Sequence, residues 1–343
     1  MTDEKAPLRI EISYKTVIFT VSVLVALWLL IQIKQIIVLI FLAIILLSAL
    51  HSPVEWLNAK RLPRALSVIL VYIVFIALIS FAVSIIVPPL ISQTSDFISN
   101  LPQIVATFNN FLSFYKIPVE DLSKTVAGQI QNIAANFISI STAIVSSIFL
   151  IFTILVFTFY LLLEWKNFVR LVASPFSGRQ EKKIVNLVAK VEKGLGQWIR
   201  GQLALSLIVG IISYIGLTIL GIPFALPLAL IAGILEIIPI VGPIIAAVPA
   251  ILIGLTVAPV MGLATAALYF IIQQLENNLI VPMVMSKVVG LQPPIVMIAI
   301  LVGATLAGIG GAFLAVPVIV VAKIVVKEFL TEEQKLEDGL QEE

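Results

Sequence analysis

The chain has 343 residues, of which 60% are hydrophobic and only 12% charged, against roughly 25% charged in an ordinary soluble domain. A net charge of +2 argues against a nucleic-acid partner. One His, no Cys and no P-loop pattern leave no disulfide framework, no thiolate metal site, no His-activated nucleophile and no nucleotide site, so neither an enzyme nor a cofactor is expected.

Successive apolar runs of about 20 residues match the roughly 30 Å hydrocarbon core of a bilayer as helices. They lack the apolar and polar alternation of barrel strands. The expected fold is therefore all-α: a polytopic membrane protein of about eight transmembrane helices.

Residues 1–15 carry Lys5, Arg9 and Lys15, and Thr16–Ile31 is apolar with no small-residue cleavage site behind it. The apolar run resumes after QIKQ, from Ile36 to Leu50. One helix over residues 16–56 would be about 60 Å long, twice the membrane core, so a tight hairpin near Gln32–Gln35 is predicted. The loop from His51 to Arg64 holds Lys60, Arg61 and Arg64, which places it and the N-terminus in the cytoplasm, with His51 a surface residue near the headgroups. Leu66–Val87 is a third span ended by Pro88 and Pro89. Two segments, 103–115 and 122–138, have helical apolar spacing and few cations, and suggest a helical lid or wall outside the bilayer.

Ala143–Leu163 is a fourth span and leads into the most basic stretch, with Lys166, Arg170, Arg179, Lys182, Lys183, Lys190, Lys193 and Arg200. Here Ile184, Leu187, Val188, Val191, Leu195, Trp198 and Ile199 form one helical stripe. This predicts an amphipathic interfacial helix, either lying on anionic lipid or acting as a moving coupling element. Leu203–Leu220 is a fifth span, and five further apolar pieces follow, several too short to cross alone. The acidic tail TEEQKLEDGLQEE follows Lys323 and Lys327 and is placed in the cytoplasm, which makes the crossing number even. The organisation expected is a three-helix membrane region (1–87), an extracytoplasmic helical segment (88–142), a fourth span with the basic helix (143–202), a core of broken or re-entrant helices (203–330) and a tail (331–343).

Chemistry concentrates in that core. Non-helical backbone survives at membrane depth only where protein or water satisfies it. The hinge candidates are Pro239, Gly242, Pro243, Pro249, Pro282, Gly308, Gly310, Gly311 and Pro317. Beside them lie the polar residues Glu236, Gln273, Gln274, Glu276, Asn277 and Asn278, the predicted substrate or ion pathway. A carboxylate in lipid costs about 2.5–3.5 kcal/mol, so Glu236 should face protein or water. Ionised, it could bind a cation; desolvated, it could exchange a proton. The amides could hydrogen-bond a polar solute or coordinate a cation. The structural alternatives are a carboxylate held by free N–H groups of the break, and a hydrated helix end with Glu276 paired to Lys287.

ALIAG at 229–233 and AILVG at 299–303 are each followed by a glycine-broken stretch and by AVP, at 247–249 and 315–317, the outline of an internal repeat. Gly303, Ala307, Gly311 and Ala315 form a small-residue ladder that permits close helix contact. The linked set WIRGQ (198–202), LGIPFAL (220–226), LEIIPIVGP (235–243), QQLENNLIVPMVMSKVVGLQPP (273–294) and GATLAGIGGAFLAVP (303–317) resembles the autoinducer-2 exporter family, or PerM-like permeases. The resemblance covers roughly residues 10–330. Gln292-Pro293 stands where the family often has His-Pro, which weakens any proton-binding His there. The resemblance implies an eight-span, oligomeric transporter of the cytoplasmic membrane that exports a small signalling solute, or exchanges sodium for protons. The remaining alternative is a membrane scaffold or sensor that does not transport.

Overall fold

A computed structural model describes residues 14–81, 83, 84, 88, 149–239, 241–285 and 293–341, and all regular structure among them is helical. The predicted outer segment 88–142 lies almost wholly outside the described residues. The first two helices are α1 (Tyr14–Gln32) and α2 (Lys34–Ala59). The hairpin expected between them is not formed. Ile33 N–H bonds to Leu29 C=O at 3.0 Å and Ile37 N–H to Ile33 C=O at 3.0 Å, so helical bonding runs through the junction. The sequence QIKQ holds neither Gly nor Pro, and each of its residues tolerates a helix, so nothing there forces the chain to turn.

α3 (Arg64–Phe81) and α4 (Phe149–Ala173) pack on α2. Their shared core joins Ala43, Leu47 and Val54 to Val68 and Tyr72 and to Leu162 and Trp165. Tyr72 donates to the Leu155 carbonyl at 2.8 Å, and Arg64 donates to the Leu162 and Leu163 carbonyls and to Glu55. His51 is not a free surface residue. Its Nδ1 lies 3.1 Å from Glu192 and its Nε2 3.4 Å from Glu55, with the Trp165 ring alongside.

α5 (Arg179–Ile219) is one helix of 41 residues. The predicted amphipathic helix and the fifth span are therefore continuous, and its apolar stripe covers protein instead of lying on lipid. Leu195 and Trp198 are buried with Ile45 of α2 and with Ile300, Ala312 and Val316 near the C-terminus, and Val191 and Ile199 join them. A stripe reads the same whether lipid or a neighbouring helix meets it, which is why periodicity alone pointed to the membrane surface.

The chain continues through α6 (Ala225–Leu235), α7 (Val241–Val257), α8 (Pro259–Leu275), a π-helical turn (Glu276–Ile280), α9 (Val281–Met285) and α10 (Pro293–Gln341). α6 crosses α5 at Gly210 and Gly233, where a Cβ on Gly233 would stand 2.8 Å from the Ser206 carbonyl. α10 is interrupted at Ala307 and Gly308, the latter at φ 59°. Eight residues of straight helix would separate Gly303 from Gly311 by about 12 Å. A Cβ on Gly303 would instead meet the Gly311 carbonyl at 2.2 Å, so the chain doubles back into a tight helical hairpin. The four ladder residues pack the two arms of this hairpin, and no single helix carries all of them.

Among the described residues, five helical stretches are long and apolar enough to cross a membrane by length and composition: α2, α3, α4, α5 and residues 294–328 of α10, the last folded back on itself at Ala307 and Gly308. Eight had been expected. The outward faces of α1, α3 and α4 expose Phe19, Trp28, Ile73, Phe81, Phe149 and Tyr160, a surface no soluble monomer of this size presents. The protein is a multi-pass membrane protein.

Candidate functional site

α6 ends at Leu235 because the next turns tighten. Ile237 N–H reaches the Ile234 carbonyl and Ile238 N–H the Leu235 carbonyl, each three residues back, and Pro239 has no N–H to offer. The chain re-enters helix at Val241, and Gly242 lies directly against the end of α6. A Cβ on Gly242 would stand 1.9 Å from the Leu235 carbonyl oxygen, so only glycine allows this approach. Pro243 is in the first turn of α7, where a missing N–H costs little. The other hinge candidates distribute differently. Pro249 and Pro317 lie inside helices, and the helical path breaks after Leu235, at 236–239, and again at 307–308. Gly310 and Gly311 follow the second break.

Glu236 stands in the first break, fully buried. Its backbone carbonyl, one of the acceptors a helix end leaves unpaired, accepts a hydrogen bond of 2.6 Å from Gln202 Nε2 of α5. Across from it the π-helical turn carries Glu276, 2% exposed. Val281 N–H closes this turn on the Glu276 carbonyl, five residues back. Pro282 follows at once, and the wider turn relieves the clash its ring would make in an α-helix.

The two carboxyl groups lie close enough to interact. No N–H or O–H among the described residues donates to either Glu236 oxygen, so the expectation that free N–H groups of the break hold the carboxylate is not met. Gln273 Nε2 lies 3.3 Å from Glu276 Oε2. No Lys, Arg or His among the described residues pairs with either acid, and Lys287 lies outside them.

The predicted pathway residues thus separate into two groups. Glu236, Gln273 and Glu276 come together in the interior. Gln274, Asn277 and Asn278 are exposed, and Asn278 Nδ2 folds back on the Gln274 carbonyl at 2.9 Å. In sequence, Gln273, Glu276 and Asn277 stand three and four apart, the spacing of one α-helical face, yet Asn277, inside the π turn, is exposed while Glu276 is buried.

Sequence reasoning missed Gln202, which is 1% exposed, together with Ser206, Ser213 and Tyr269. Each buries a side-chain oxygen without a protein hydrogen-bond partner. A signal existed: 202, 206 and 213 follow one another at four and seven residues, one stripe of polar side chains along an apolar span.

The model of the AI-2E family transporter matches residues 17–331. YrrI of Bacillus subtilis, which carries a provisional transport-protein name, is 34% identical over 300 residues, covering 83% of this chain and 84% of its own. YueF of the same organism, named in the same way, is 28% identical over 81% of this chain and 80% of its own. A sodium-lithium/proton antiporter of Halobacillus andaensis is 26% identical over 310 residues, 82% of this chain and 86% of its own.

Proposed function

The chain belongs to the AI-2E transporter family, and we propose that within it this protein exchanges a small monovalent cation for protons at the Glu236 and Glu276 pair. One observation carries the reading: two buried carboxyls face each other where a helix break meets a π turn, and no basic side chain among the described residues neutralises them. An ionised carboxylate without a partner costs several kcal/mol in a protein interior. A proton shared by the pair, or a cation bound between the two groups, removes that cost. Each of the two occupants displaces the other, which is the chemical requirement for exchange. The antiporter among the relatives agrees with this choice of ion. The basic residues of 166–200 support placing that stretch on the cytoplasmic side of the membrane.

The test is proteoliposomes with an imposed pH gradient. Sodium or lithium chloride should dissipate the gradient, choline chloride should not, and Glu236→Gln or Glu276→Gln should stop the dissipation. Full activity in both variants would remove the site. A second reading, export of a small polar signalling solute, draws on the half-buried Gln273 and the exposed amides beside it. Solute flux that survives loss of both carboxyls would favour it.

A further inference from the structure

Resting on the exchange reading, we propose that Gln202 is a ligand of the transported cation, and that its side chain ties ion binding to the backbone of the break. The Nε2 atom is already committed: it donates to the Glu236 carbonyl at 2.6 Å. This also settles which end of the amide is which, since the reverse orientation would set two carbonyl oxygens against each other. The Oε1 atom is therefore the free end. It is buried and accepts no hydrogen bond from the protein, as is true of both side-chain oxygens of Glu236, the residue whose backbone carbonyl the other end of the amide holds. A buried acceptor left unsatisfied costs about 1–3 kcal/mol.

The partners that fit it follow from its neighbours. Glu236 brings two unpartnered oxygens, Glu276 a second buried carboxyl, and Ser206 an unpartnered hydroxyl one turn along α5. A set made only of oxygens suits a hard cation. Two carboxyls alone would hold a proton as readily as an ion. A neutral amide oxygen ligates a metal cation at full strength but does not add a second charge, so it biases the site from protons toward the ion. The single Gln side chain therefore has two roles at once. One end senses the ion, and the other holds the carbonyl on which α6 terminates.

The experiment is gradient dissipation in proteoliposomes titrated with lithium, sodium and potassium chloride, comparing the parent with Gln202→Met, which keeps length and removes both polar ends. We expect the half-saturating sodium concentration to rise at least tenfold and the lithium to sodium to potassium order to flatten, with exchange still dependent on Glu236. Unchanged half-saturation and ion preference in Gln202→Met would overturn the proposal, as would a loss confined to maximal rate. If that variant does not fold, Gln202→Asn, which keeps the amide but withdraws it by one carbon, is read by the same criteria. The exchange reading fails separately: it falls when both Glu236→Gln and Glu276→Gln retain sodium-dependent dissipation, whatever Gln202 does.

Discussion

Replacing Glu236 by Gln removes one charge from a buried pair and keeps the shape of the side chain. Two like unit charges at about 4 Å and an effective dielectric of about 20 repel by about 4 kcal/mol, which sets the scale of the cost when both groups are ionised. Where one proton is shared instead, the new amide can donate to Glu276 in its place, and little changes. In cation-free buffer Glu236→Gln should thus melt no lower than the parent, and a gain of about 1–2 kcal/mol would raise the midpoint by about 2–4 °C per kcal/mol. The larger difference lies in the response to ligand. An ion bound only by the folded parent adds about 2.7 kcal/mol at a hundred times its dissociation constant, and the variant should lose that increment. Intrinsic fluorescence melts of detergent-purified protein, reading the four Trp, with sodium against choline chloride, measure both quantities. A variant that melts several degrees below the parent and keeps the full sodium shift would show that Glu236 holds the fold together and binds no ion.

Gly242→Ala must push the α6 end away by more than 1 Å, since its Cβ would sit 1.9 Å from the Leu235 carbonyl; a stability loss of about 1–3 kcal/mol and near-complete loss of exchange are expected in melts and proteoliposomes. Gly311→Ala meets the Gly303 carbonyl at 2.0 Å and should open the hairpin, whereas Gly308→Ala meets no neighbouring atom and carries only the backbone cost of φ 59°, about 1–2 kcal/mol. Equal melting of those two variants would contradict the hairpin contact. Arg64→Gln removes donors to the Leu162 and Leu163 carbonyls and the ion pair to Glu55; a loss of about 2–3 kcal/mol is expected by thermal melting, and no measurable change would mean that water replaces the guanidinium freely.

Glu236 and Glu276 were legible as buried polar residues because an acid in an apolar segment has few structural uses, and a neighbouring Pro or Gly marks where backbone must be satisfied. Gln202 was not read, because its only signal is a sparse polar stripe with Ser206 and Ser213, and a stripe does not say what it faces. Its meaning arises only when α6 ends opposite it. Asn277 was misplaced for a related reason: the three-and-four rule assumes an α-helix, and Pro282 forces the turn before it to widen. Pro249 and Pro317 look like breaks in the sequence, yet a helix that packs well on both sides tolerates the loss of one hydrogen bond. The junction at Ile33, which joins α1 to α2 without turning the chain back, was hidden by an argument from length, which presumes that each helix stops at the membrane boundary.

The two similar stretches, 229–249 and 299–317, fold alike: helix, break, helix, with AVP in the second arm of each. In each a glycine of the second arm lies under a carbonyl of the first, Gly242 under Leu235 and Gly311 under Gly303. The same device therefore brings the arms together twice, but the breaks differ in chemistry. The first holds Glu236, whereas Leu306 and Ile309 flank the second, both 81% exposed. Ile238 and Val241, beside the first break, pack into the cluster that holds Ile300, Ala312 and Ala315 of the second. The hairpin thus supplies an apolar wall and the α6 break a buried carboxyl. A charge placed on the wall, as in Ala312→Asp, should damage folding without creating a second ion site, so its melts should fall while any protein that remains folded keeps the parent's ion preference.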